Sequence, residues 1–478
     1  MRRRGGDIRS PQRTGIVGLG LCVVSIGLVA GTAASGRSVA VPVRNGGFPP
    51  YAGSAHLSPA TVTALLAAAA VTGGLGLLLE WLALRAGWRP SARRLALAGC
   101  VVALALCLLP HIGSADPESY AAYGREAAVG IDPYRGDPSA LASRGDPYGD
   151  IVEAPWQHTP SVYGPLATLE QDAAARIAGG DPRRAVWLLD LAGALAFAVT
   201  TALLLLITED VASRRRVAVL WAANPLLLWQ LVAGGHIDTI EIMLAVAAVA
   251  AVRRSRLLAV ALMGAAIVVK LPAALVAAGV AWTLRRSARA AAAFVVPTVA
   301  VVVGAYVAAG PHALDQARTS SRFVSRATPW RPLATLLDHA WGRSASREVI
   351  GACAVVLAAA LAVLLIRTVG TAGRATVAAM LVLAYVLVTP YALPWYDGLA
   401  WALMVLLVAG PLDLVLLAHT TVLSLAYIPG RAVPLPPGVD GLTSALRDVV
   451  APTALGVLGA TAAVLAVRRS SRGAPGYG

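Results

Sequence analysis

The chain has 478 residues, of which 57% are apolar and only 14% charged, and its mean hydropathy is +0.69. Soluble domains carry roughly 25% charged residues, so this composition excludes a water-soluble globule of this size. The net charge of +15 does not mark a nucleic-acid binder either, because the arginines stand in short clusters between apolar runs, as in loops kept on the cytoplasmic side of a membrane.

A bilayer core of ~30 Å needs about 20 apolar residues per helix. The first run, Thr14 to about Ala34, has a basic start and ends in a signal-like Gly31-Thr-Ala-Ala-Ser35. It is long for the apolar core of a cleaved signal and reads as an uncleaved first helix. With arginines inside, the tail 1–13 (Arg2, Arg3, Arg4, Arg9, Arg13) is cytoplasmic, and spans follow near 14–34, 59–84 and 95–113. Arg85, Arg89, Arg93 and Arg94 separate the second from the third. A long outer segment, 114–183, comes next, and is expected to hold short interfacial helices. A span at 185–207 returns to Arg214, Arg215 and Arg216, and spans at 217–233 and 239–252 lead to Arg253, Arg254 and Arg256. The run 257–284 keeps every arginine cluster inside only as a hairpin broken at Lys270-Leu271-Pro272. Further spans near 290–309, 349–367, 375–389, 398–409, 412–428 and 451–467 end in a cytoplasmic tail, 468–478, with Arg468, Arg469 and Arg472. The expectation is one all-α membrane domain, 1–478, of about 14 transmembrane helices (12–14), with both termini cytoplasmic. Cys22, Cys100, Cys107 and Cys353 all fall in apolar runs and read as core packing.

The outer segments carry the chemistry. Segment 114–183 is rich in carboxylates, aromatics and prolines, whereas the second outer loop, 310–348, carries Arg318, Arg322, Arg326, Arg331, Arg343 and Arg347. Topology alone does not account for so many outer arginines. Directly after the third run, Asp116-Pro117-Glu118 has the form of a capped helix start. The same carboxylate stands where a helix leaves apolar surroundings, a setting that suits a general base. Lys270 is the only lysine in the chain. Its retention among so many arginines suggests a compact ammonium is needed, for a lipid phosphate or as a snorkelling anchor. His236 and Asp238 lie in the turn Gly234-Gly-His-Ile-Asp238; they could orient a hydroxyl or be merely solvated, and His-x-Asp is too sparse for a metal site. Trp156, Tyr163, Trp395 and Tyr396 are interfacial anchors or sugar-stacking rings. Asp190 lies inside the fourth span, either paired structurally or facing a cavity. The sequence has no Walker loop, Rossmann glycine fingerprint, HExxH or GxSxG, so no nucleotide-sugar chemistry is indicated.

Several runs are recognisable together. Asp116-Pro-Glu-Ser-Tyr120-Ala-Ala-Tyr123-Gly124-Arg, continued by Gly130-Ile-Asp-Pro-Tyr134, resembles the first outer loop of the actinobacterial polyprenol-phosphomannose-dependent α-1,6-mannosyltransferases. Trp156-Gln-His158-Thr-Pro160-Ser-Val-Tyr163-Gly-Pro165, Asn224-Pro225, Gly234-Gly-His236, Lys270-Leu-Pro272 and Leu393-Pro-Trp395-Tyr396 match that family in order. The chain departs from it at Ile237, where the family has asparagine.

The resemblance implies a GT-C membrane fold in the plasma membrane and an active site on the extracytoplasmic face. It also implies a mannosyl donor on polyprenyl phosphate, a lipid-anchored glycan acceptor of a cell-envelope mannan, and inversion at the anomeric carbon. Asp116 would be the catalytic base. Tyr120, Tyr123, Tyr134, Trp156, His158, Tyr163, His236, Asp238, Trp395 and Tyr396 would line the substrates, and Lys270 and His236 with Arg322 or Arg326 would hold the phosphate. No cofactor is required; a divalent metal is compatible with the site but not indicated. Two other readings remain open here: a GT-C transferase for another lipid-linked sugar such as arabinofuranose, and a lipid-linked-sugar flippase.

Overall fold

The computed structural model describes residues 11–42, 48–370, 373 and 375–470. Of the expected tails, 1–10 and 471–478, with Arg2, Arg3, Arg4, Arg9 and Arg472, lie outside the described residues. Among those described the chain is helical, apart from one isolated bridge between Ser38 and Val41.

In chain order come α1 (Pro11–Ser35), α2 (Pro59–Arg85) and α3 (Ala92–Leu106). A connection then carries α4 (Asp116–Ala128), α5 (Ser139–Ala142), α6 (Pro147–Asp150) and α7 (Pro165–Ala178). Helix α8 (Pro182–Ile207) leads to α9 (Val211–Val217), which continues through π-helical turns and α10 (Pro225–Leu227) to Ala233. Next stand α11 (Asp238–Ala251), α12 (Arg256–Val269), α13 (Ala273–Leu284) and α14 (Ala288–Ala309). The second connection holds α15 (Asp315–Ser320) and α16 (Trp330–Trp341). The last elements are α17 (Arg343–Val369), α18 (Thr376–Val388), α19 (Asp397–Met404), α20 (Pro411–Ala426), α21 (Pro437–Ala445) and α22 (Ala451–Ser470). Seven of the described helices are long and apolar enough to cross a membrane: α1, α2, α8, Val211–Ala233, α14, α17 and Pro437–Arg468. The other apolar runs form shorter helices, from 8 residues in α19 to 16 in α20.

Local chemistry explains the breaks. Asn224 caps α10 by accepting from the Leu226 and Leu227 amides at 3.0 and 3.2 Å, with Pro225 in the first turn. At Lys270 the backbone turns extended (φ −153°, ψ 131°) and Pro272 precedes α13, so the expected break is present. Its arms of 14 and 12 residues rise about 21 and 18 Å at ~1.5 Å per residue. Gly164 seats there: its amide donates to Val269 O at 3.2 Å, and a Cβ would lie 1.9 Å from Val268 O and 3.1 Å from the Tyr306 hydroxyl. Tyr306, near the end of α14, therefore stands level with the end of α12, and these two helices pack directly against each other.

Two cores result. The larger fills the bundle around residues such as Trp221, Phe197, Trp401 and Leu77. The smaller joins the first connection to α8 and α11 through Tyr120, Tyr148, Leu141, Leu189 and Ile237. Ile237 is thus a packing residue. The cysteines divide: Cys22 and Cys107 are buried as expected, Cys100 is half-buried, and Cys353 is exposed on α17.

Candidate active site

A cavity of about 1700 Å³ opens where the first connection, the Lys270 break, the second connection and the turn before α19 meet. Its walls include Asp116, Tyr123, Trp156, Tyr163, Lys270, Arg322, Arg326, Trp395 and Tyr396. The structure therefore gathers nine of the fourteen expected site residues around one space.

Asp116 does not cap its helix. Ala115 is the cap residue, Asp116 opens α4, and no side chain closes the helix start; instead the Asp116 amide donates to Ser114 Oγ at 3.0 Å. A carboxylate with no capping duty is free to face the cavity, and its side chain is 27% exposed. Its Oδ2 lies 3.4 Å from the Tyr120 hydroxyl and 3.4 Å from His236 Nδ1. His236 is 1% exposed and stacks on Trp395, with ring centroids 3.5 Å apart and 17° between planes. Tyr120 meets Tyr163 edge-on at 4.8 Å, and Tyr123 donates to Thr159 O at 2.9 Å. These rings fix the carboxylate's surroundings.

Lys270 supplies the facing positive charge. Its Nζ donates to Asp238 Oδ1 at 2.8 Å and sits 4.2 Å from the centroid of Tyr396. Asp238 and Glu241 are both buried on the first turn of α11, and Asp238 Oδ2 and Glu241 Oε1 have no hydrogen-bond partner. The single ammonium is thus paired with Asp238, and Glu241, which the sequence reading left without a role, lies buried on the same turn of α11.

The opposite wall is basic. Arg322, Arg326, Arg331, Arg343, Arg347, Arg431 and Arg447 line it, against Glu153 and Asp338. Arg326 pairs with Asp448, Arg347 with Asp338, Arg322 with Glu348 at 3.4 Å, and Arg431 with Glu153. Arg447 donates to Ala426 O and Ile428 O at 2.9 and 3.0 Å. Cations outnumber anions on this wall, which suits an anionic ligand.

Two expected residues stand elsewhere. Tyr134 is buried and shares a 2.8 Å hydrogen bond with Thr168, tying the first connection to α7. His158 is exposed at the end of a 3-10 turn and does not line the cavity. His236, Asp238 and Tyr120 act from just behind the wall. Asp190, open to two readings in the sequence, fits neither: it is buried, its Oδ1 has no partner, and that oxygen lies 2.3 Å from where a Gly235 Cβ would be. Gly235 has φ +65°, which together with that approach requires glycine. Sequence reading also missed Arg431, Arg447, Tyr385, Tyr391 and Tyr427 on the cavity wall, because nothing local distinguishes them from ordinary helix-end and interfacial residues. Among the described residues no three His, Cys, Asp or Glu side chains converge to hold a metal.

The family model described as alpha-(1->6)-mannopyranosyltransferase, N-terminal domain, matches residues 17–286, more than half of the chain. The chain belongs to this family. The match includes Asp116, His236, Asp238 and Lys270, while the basic second connection and Trp395-Tyr396 lie beyond it. An alpha-(1->6)-mannopyranosyltransferase of Mycobacterium tuberculosis (strain ATCC 25618 / H37Rv) is 33% identical over 138 residues, 28% of this chain and 23% of that relative. The aligned stretch thus spans about a quarter of the relative's length, 23%. No solved structure matches.

Proposed function

We propose that this chain transfers a mannosyl residue from a polyprenyl-phosphate-linked donor to a hydroxyl of a lipid-anchored glycan, with inversion, forming α-1,6 linkages of a cell-envelope mannan. The observation that carries this reading is the shared cavity: an under-paired carboxylate, Asp116, and a set of cations led by Lys270 line the same space. The mannosyl donor and the α-1,6 linkage rest on the family match.

In this reading Asp116 takes the proton of the acceptor hydroxyl as its oxygen bonds to the anomeric carbon. The bond from that carbon to the phosphate oxygen breaks, and its electron pair leaves with the polyprenyl phosphate. A phosphate leaves already anionic, so no general acid is needed. Lys270, Arg322 and Arg326, with Arg331, Arg343 and Arg447, hold its charge as it develops, the most effective form of transition-state stabilisation. Trp156, Tyr123 and Tyr163 offer rings to the sugars. In this reading the arginine clusters mark the cytoplasmic side, giving about 14 spans (12–14) with both termini cytoplasmic and this cavity on the outer face of the plasma membrane.

The test is transfer in reconstituted membranes from defined polyprenyl-phosphate sugars. Mannosyl transfer that Asp116→Asn abolishes, with donor binding retained, supports the reading. Transfer of arabinofuranose alone, or movement of the lipid-linked sugar between leaflets without transfer, overturns it in favour of the two other readings.

A further inference from the structure

Beside His236 lies a second, small pocket of about 10 Å³, walled by Tyr120, Glu170, Leu189, Gly193, Gly235, His236, Ile237, Thr239 and Ile240. A void of this size holds about one water. Two residues connect it to Asp116. His236 Nδ1 is sealed from solvent and has Asp116 Oδ2 at 3.4 Å, and the Tyr120 hydroxyl has the same oxygen at 3.4 Å. Glu170, on α7, is half-buried and carries no hydrogen bond or ion pair. It is the pocket's one carboxylate among the described residues.

We infer that Glu170 receives, through His236 and a pocket water, the proton that Asp116 removes from the acceptor. This rests on the proposed role of Asp116 as base. With donor and acceptor in the cavity, the open face of Asp116 is covered, and the route behind it remains. The acceptor loses one O–H bond and Asp116 gains it. His236 takes that proton at Nδ1 and releases one from Nε2 to the water. The water passes one to the Glu170 carboxylate, so a single proton moves from hydroxyl to Glu170 and the imidazole holds one throughout. Glu170, partly exposed, then gives it up at the surface.

The groups facing Glu170 allow this. Tyr120 from α4 and His236 from the turn before α11 are the titratable groups on the pocket wall; α8 and α11 present Leu189, Gly193, Thr239 and Ile240. Asp190, on α8, approaches Gly235 but does not line the pocket and is buried, so it offers no exit. Burial raises the Glu170 carboxyl to about 8, within the range where transfer rates would be measured.

Glu170 is a positioning residue for the proton, and the readout is the pH profile of single-turnover transfer. Wild type rises through pH 8 as Glu170 ionises. Glu170→Gln is about tenfold slower than wild type at pH 9, with the ratio shrinking toward acid, and Glu170→Asp restores part of the rise. Gly193→Ala keeps Glu170 but puts a methyl 3.1 Å from Thr239 Oγ1, narrowing the pocket; it shows the same flattened profile. Thermal unfolding identifies any variant that fails to fold. If Glu170→Gln and Gly193→Ala both fold and keep the wild-type profile, the route is wrong. If Asp116→Asn retains transfer, the base assignment beneath it is wrong instead.

Discussion

Two clusters of charge, at opposite ends of α8, show how the same residue types serve different ends. At one end Arg216 and Asp413 are buried and closed on each other. Arg216 Nη1 donates to Asp413 Oδ2 at 2.7 Å and its Nη2 to Met404 O at 3.0 Å. Trp81 Nε1 and the Gly410 amide donate to the same carboxylate at 3.0 and 2.9 Å. Only Arg216 Nε lacks a partner. At the other end Asp116 has two contacts, both 3.4 Å, and an open face, while Asp238 and Glu241 keep unpartnered oxygens beside Lys270. A satisfied buried pair ties helices together, here α2, α9 and α20. An under-satisfied set on and just behind a cavity wall holds capacity for a ligand.

Four substitutions probe that contrast. Asp116→Asn should lower mannosyl transfer by roughly 10²–10⁴-fold while thermal unfolding in detergent stays near wild type, because a half-open carboxylate carries little of the fold. Arg216→Leu should do the reverse. Stranding Asp413 inside costs about 3–5 kcal/mol, visible as a lowered melting temperature, with turnover per folded molecule retained. Equal melting temperatures for these two variants would erase the distinction between the clusters. Lys270→Arg should raise the donor KM about tenfold, ~1.4 kcal/mol, because a wider guanidinium must share the space of Asp238 and Tyr396. An unchanged KM would return Lys270 to an anchoring role.

The smallest effect concerns Glu126 on α4, which is fully buried with both carboxyl oxygens unpartnered. Burial, with the negative charges of Asp137 and Asp132, pushes its carboxyl up to about 8 from the ordinary 4.5. The folded state therefore holds this proton more tightly than the unfolded chain. Its stabilising contribution is whole below pH 4.5 and is lost as pH rises through about 8. Glu126→Gln should flatten that fall and stabilise the protein above pH 8 by about 1 kcal/mol, read as melting temperature against pH.

Much of this was legible residue by residue. The break at Lys270 was readable because a lysine and a proline interrupt an apolar run, and both are local facts. The cation wall was anticipated by the excess of arginines in 310–348. Other readings failed where a local signal had two outcomes. Asp116-Pro117 looked like a cap, yet the helix begins one residue earlier and the carboxylate turns away. Tyr134 and His158 sit within family-like runs, but one packs against Thr168 and the other faces outward. Arg431 and Arg447 gave no signal at all, since their place on the cavity depends on how α20 and α21 pack.

The sequence by itself determined the class of molecule, the breaks between helices and the residue types available, because hydropathy, capping and proline act over a few neighbours. Only the tertiary structure decided which charges are closed and which stay open. Asp116, His236, Lys270 and Tyr396 lie up to 280 positions apart in the chain, and the distances that set their pairing come from packing between helices, a property no local pattern encodes.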